Sequence, residues 1–317
     1  MKNEIKLTGF IIAVGLAAAP VVASAQDERT ATQIDTTVRL DRGGAVDLSL
    51  VSGKIRVTGW DQPTVKISAS IESGYLRFSA NSSRVTLSVD DEGDGDSRRR
   101  HRNRDSGDAR YEVSVPRGAK LILEAVSGDV TARGSQGEIE ASSVSGDVDV
   151  TDGVRTVSVE SVSGDTRAAQ INGNLRAETV SGELRAENVT GEVEASTVSG
   201  DITLSGIQSR DVRTESVSGT IKYTGSIEPS GRYSYESHSG TIVLNIPRNA
   251  GASFSVETFS GGVNADFPIT IPPRERGRNR EGHMEFTIGD GRARITAQTF
   301  SGEIEINSGS TTRRNDE

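Results

Sequence analysis

Five acidic residues, Asp129, Asp147, Asp165, Glu183 and Asp201, each stand directly after a glycine and recur every 18 residues. If the chain stacks at that interval, they form an outward row of carboxylates about 4.8 Å apart. Neighbouring carboxylates at that spacing repel by about 1 kcal/mol in a water-like dielectric, so a divalent cation, calcium outside the cell, would relieve the row. The units have one glycine each and lack the Gly-Gly-x-Gly-x-Asp of the calcium-binding β-roll, so a solvated, solubilising face is the competing reading.

Arginines form a second chemical group. One cluster, Arg98, Arg99, Arg100, Arg102 and Arg104, follows the acidic run Asp90 to Asp96; another holds Arg274, Arg276, Arg278 and Arg280. Both lie in stretches without apolar residues, which reads as mobile insertions at about 90–109 and 272–283. Guanidinium clusters on an acidic body can grip phosphate or carboxylate groups of an anionic envelope polymer. Alternatively, the acidic and basic halves neutralise each other in loops with no ligand.

Catalytic equipment is sparse. The histidines are His101, His238 and His283, and there is no cysteine. A serine nucleophile needs a positioned base and oxyanion donors, whereas the many serines here recur at bends and read as turn formers. No catalytic residue and no obligatory cofactor is expected. A polysaccharide lyase or hydrolase on a β-helix would need acids and bases that break the repeat, and these acids follow it.

The elements that carry these residues come from periodicity. Val-Ser-Gly-acid-apolar starts at Val126, Val144, Val162, Val180 and Val198, with weaker copies such as Val189-Thr190-Gly191-Glu192-Val193 midway, so the unit is nine residues. Val193 and Ala195 alternate with Glu192, Glu194 and Ser196, the period of a strand with one buried face. Strand, bend and strand then repeat as coils whose parallel pairing satisfies the backbone. The expectation is an all-β chain, a parallel β-solenoid of about 18–21 residues per coil, forming a single elongated domain over 37–307.

Inward columns are expected from Val126, Val144, Val162, Val180, Val198 and Val217, and from Val130, Val148, Leu184, Ile202 and Ile221. His238, Phe259 and Phe300 continue the first column, so His238 is read as packed core and the phenylalanines as filling wider coils with Tyr223, Tyr233, Tyr235, Phe254, Phe267 and Phe286. Pro116 and Pro247, at matching places in a duplicated segment, mark turns. Trp60 is expected to cover the N-terminal end of the solenoid.

The N-terminus reads as a secretory signal over 1–25: Lys2 and Lys6, an apolar run from Leu7 to Ala19, and Ala23-Ser24-Ala25 before the cleavage point. That run falls short of the roughly 20 residues a spanning helix needs, so no transmembrane segment is expected after cleavage. A linker over 26–36 and a tail over 308–317 complete the organisation. The formal charge of -9 argues against nucleic acid as a partner.

The repeated Val-Ser-Gly-Asp-Val, the Pro116-Arg117-Gly118-Ala119 entry and the closing Thr299-Phe300-Ser301-Gly302-Glu303-Ile304 resemble the bacterial Toastrack family of adhesin-like proteins. That resemblance implies a β-solenoid of the cell envelope, periplasmic or at the surface. Its partners would be an envelope polymer, a glycan or another envelope protein, with envelope-stress sensing beside a membrane protein as a further role. The family has no established catalytic residues.

Overall fold

The computed structural model describes residues 27–90, 107–267 and 283–309, and no helix occurs among them. Each central coil consists of two strands, as in Leu175–Ser181 followed by Leu184–Val189, then Val193–Ser199 followed by Ile202–Ile207. Equivalent residues of successive coils pair in parallel: Leu175 with Val193, Ala177 with Ala195, Leu184 with Ile202. The expected solenoid is therefore present, and Val130, Val148, Leu184, Ile202 and Ile221 stack inside it, each fully buried.

The two bends of a coil use different devices. At the Val-Ser-Gly bend the chain points two consecutive residues outward, Val180 and Ser181, before Leu184 turns in. At the other bend a residue of positive φ, Gln170 (56°), Asn188 (55°) or Gly206 (65°), resets the phase so that Ile171, Val189 and Ile207 point inward. Asparagine and glycine tolerate this left-handed conformation better than most residues.

Coils widen towards the C-terminal side, where tyrosines take the inward positions: Tyr223 pairs with Leu204, Tyr233 with Val212 and Tyr235 with Thr214. Their rings contact each other at centroid distances of 5.5 and 6.1 Å. Buried phenols usually find partners for their hydroxyls, and two of these three do, the Tyr235 hydroxyl being left unpaired among the described residues. Tyr223 donates to the Ser226 carbonyl (2.7 Å); Tyr233 donates to the Ser209 carbonyl (2.7 Å) and accepts from the Glu228 amide (2.8 Å).

Spatial order departs from chain order at both ends. The coil Ala293–Ser301 and Ile304–Gly309 is inserted between Arg232–Ser239 with Ile242–Pro247 on one side and Ala252–Ser260 with Val263–Ala265 on the other. Likewise Ala45–Trp60 lies between Lys120–Arg133 and the coil made by Arg84–Asp90 and Ala109–Pro116. Antiparallel strands close the ends. His283–Ile288 covers Ala252–Ser260; Thr64–Ile71 and Tyr75–Ala80 cover the first coil, and Gln33–Arg39 and Asp27–Ala31 cover those.

Two expectations change as a result. Residues 27–36, read as part of a linker, belong to the capping strands Asp27–Ala31 and Gln33–Arg39. Trp60 is not the cap: half-buried, it donates its indole N–H to the Thr64 carbonyl (2.7 Å), bracing the turn between two strands. The prolines do mark turns, with the Ala119 and Ala250 amides bonding back to the Pro116 and Pro247 carbonyls.

Candidate functional site: a groove beside an exposed apolar ladder

Strand alternation carries one column out of the core. Leu175, Ala177 and Thr179 point in, so Arg176, Glu178 and Val180 point out, and every coil repeats this phase. Val126, Val144, Val162, Val180, Val198 and Val217 are consequently 45–48% exposed, not stacked in the interior as expected from their side-chain type. The residues at the inward place are Ala125 beside Val126 and then Ser143, Ser161, Thr179, Thr197 and Ser216, with Ser237 following in the next coil. The small hydroxyls of these serines and threonines fit the tight bend, and Ser143 and Ser161 donate to the Gly128 and Gly146 carbonyls of the preceding coil (2.9 and 3.4 Å).

His238, Phe300 and Phe259 extend the same outer column in that spatial order, because of the inserted coil. Phe300 is 51% and Phe259 77% exposed, and His238 is exposed too, so none of the three is core. Their rings lie face to face, 5.1 Å between His238 and Phe300 and 4.9 Å between Phe300 and Phe259, near the spacing of the coils themselves. The remaining expected core aromatics, Phe254, Phe267 and Phe286, are buried.

Beside this ladder runs a groove of about 1000 Å³. One wall is the valine and aromatic ladder; the other is the column of Glu160, Glu178, Glu215, Glu236 and Glu257, interrupted by Ser196 and Gln298. Glu178 is paired with Arg176 and Glu215 with Arg213 (2.6 Å), which keeps part of the acidic wall neutralised. An exposed serine column, from Ser127 through Ser181 to Ser239, flanks the ladder on its far side.

The carboxylate row predicted at Asp129, Asp147, Asp165, Glu183 and Asp201 is in register, and its oxygens are used within the fold. Asp147 accepts the Asp165 amide (3.0 Å), Asp165 the Glu183 amide (2.9 Å) and Asp201 the Thr220 amide (2.7 Å). Lys54 sits 3.0 Å from Asp129 and, with the Asp147 amide, holds that carboxyl below the usual carboxylate range. Among the described residues no group of three or more His, Cys, Asp or Glu side chains is arranged to hold a metal ion. Asp165→Asn, which keeps the acceptor, should leave the urea midpoint unchanged, whereas Asp165→Ala should cost about 0.5–1 kcal/mol.

Arg98, Arg99, Arg100, Arg102, Arg104, Arg274, Arg276, Arg278 and Arg280, with His101, lie outside the described residues. His283 contacts Glu285 at 3.3 Å.

The family description for Toastrack DUF4097 matches residues 86–307. The chain belongs to the Toastrack family. No curated protein matches it. Among solved structures, it is similar to a crystal structure described as a putative cell adhesion protein from Clostridium sporogenes. That likeness has 12% identity and a TM-score of 0.23, over 87% of this chain and 99% of the other. In this Toastrack chain, no helix among the described residues is long and apolar enough to cross a membrane.

Proposed function

We propose that this Toastrack protein is a non-enzymatic, adhesin-like interaction module of the bacterial cell envelope, exported by its N-terminal signal, with the groove as its binding face. The observation that supports this most is the uninterrupted outward ladder from Val126 to Phe259. A contiguous exposed apolar strip with polar rims is characteristic of a surface that meets a partner.

The test is retention of the purified chain on isolated envelopes. A Val162→Glu and Val198→Glu double variant should lose most retention while keeping its far-UV spectrum. Undiminished retention overturns the groove as the binding face. If instead a variant with alanine at Arg98, Arg99, Arg100, Arg274, Arg276, Arg278 and Arg280 loses a salt-sensitive retention, an anionic polymer held by the arginines is the interaction that matters.

A second reading, a glycan-active enzyme, draws on Glu215 and Glu236, neighbours in register along the same groove. Carboxyl pairs about 5 Å apart are the equipment of retaining glycosidases. Release of reducing ends from envelope glycans, abolished in Glu236→Gln, would establish it.

A further inference from the structure

The ladder repeats with the inter-strand spacing of about 4.8 Å over roughly 40 Å. A helix laid along it presents turns 5.4 Å apart, and an extended chain presents same-side residues about 6.6 Å apart. Both drift out of step within a few coils. A parallel solenoid repeats at the ladder's own interval, so every valine can meet an equivalent site along the full length.

We propose that the groove is a homotypic docking face: two copies lie side by side with axes parallel, each seating its valine ladder in the groove of the other. The proposal deepens the reading of the groove as interaction face and rests on it. A twofold axis along the solenoid reverses the lateral order of the columns. The column of Glu160, Glu178, Glu215 and Glu236 then falls beside the serine column of the second copy, carboxylates against hydroxyl donors. An antiparallel arrangement would set glutamates against glutamates.

Size is compatible. From the Arg176 column to the Ser181 column the face is about 17 Å wide at ~3.4 Å per residue, so the pair buries about 1,400 Å² in total, within the range of specific interfaces. Opposing it is the formal charge of -9 on each copy. Salt screens that repulsion, so self-association should strengthen with ionic strength, the reverse of binding to a cationic partner.

Sedimentation equilibrium of the purified chain tests the proposal. Dimers should form at micromolar concentration, tighten several-fold between 50 mM and 500 mM salt, and weaken at least 100-fold in the folded Val180→Glu and Val198→Glu variant. Because the chain has no cysteine, Val126→Cys is a clean reporter of direction. Parallel docking brings the two introduced thiols together and gives a disulfide-linked dimer on oxidation, whereas antiparallel docking holds them about 40 Å apart. A monomer at all concentrations, a dimer indifferent to the glutamates, or no cross-link at position 126 each overturns it. Envelope retention is measured separately, so a monomer that is still retained through its valines overturns the second copy as occupant and leaves the groove's role standing.

Discussion

Gly182→Ala should lower stability by about 2–3 kcal/mol, although it adds one methyl group to a bend open to solvent on one side. The cause is the stacking of the bends. A Cβ at Gly182 would collide with the carbonyl oxygen of Gly164 one coil below, just as one at Gly200 would collide with Gly182 and one at Gly240 with Gly219. The obstacle is backbone, locked by parallel pairing on both sides, so it cannot swing away as a side chain could. Gly262→Ala is the control: its Cβ would meet nothing within 4 Å, and the change should stay within about 0.5 kcal/mol. Urea denaturation followed by far-UV dichroism separates the two, and equal midpoints would show that the coils can spread at the bend.

The same periodicity that made the fold legible also concealed the candidate site. An interval of 18 residues demanded coils in parallel register, and Leu184 pairs with Ile202 as that interval requires. Alternation from Val193 and Ala195 leads to Thr197 inside and Val198 outside, so the phase of the ladder was readable from residues already placed. Assigning valine to the interior by its chemistry overrode that count. Polar threonines inside and apolar valines outside invert the usual rule, and departures of this kind are expected at functional or strained sites. Coil order at the ends was not readable. His238, Phe259 and Phe300 share one repeat position, and only long-range pairing of Ala293–Ser301 with both Arg232–Ser239 and Ala252–Ser260 puts Phe300 between the others. Nor did the pattern reveal the antiparallel caps, because an alternating strand looks the same whichever way its neighbour runs.

A pair of substitutions measures the inversion directly. Ile202 is wholly buried between Leu184 and Ile221, so Ile202→Ala removes contacts on both coils and should cost about 3–4 kcal/mol. Val180, two positions before the glycine of the neighbouring coil's bend, is 45% exposed, and Val180→Ser should change stability by no more than about 0.5 kcal/mol. Were valine the interior residue of the bend, Val180→Ser would resemble a buried polar substitution and cost several times that. The converse change at the inward partner sharpens the contrast. Thr179 is buried with its hydroxyl unpaired, so Thr179→Val keeps the shape, removes an unsatisfied polar atom and should stabilise the chain by about 1 kcal/mol. A chain that gains stability when threonine gives way to valine inside, and loses none when valine gives way to serine outside, does not need its exposed valines to hold its own fold together.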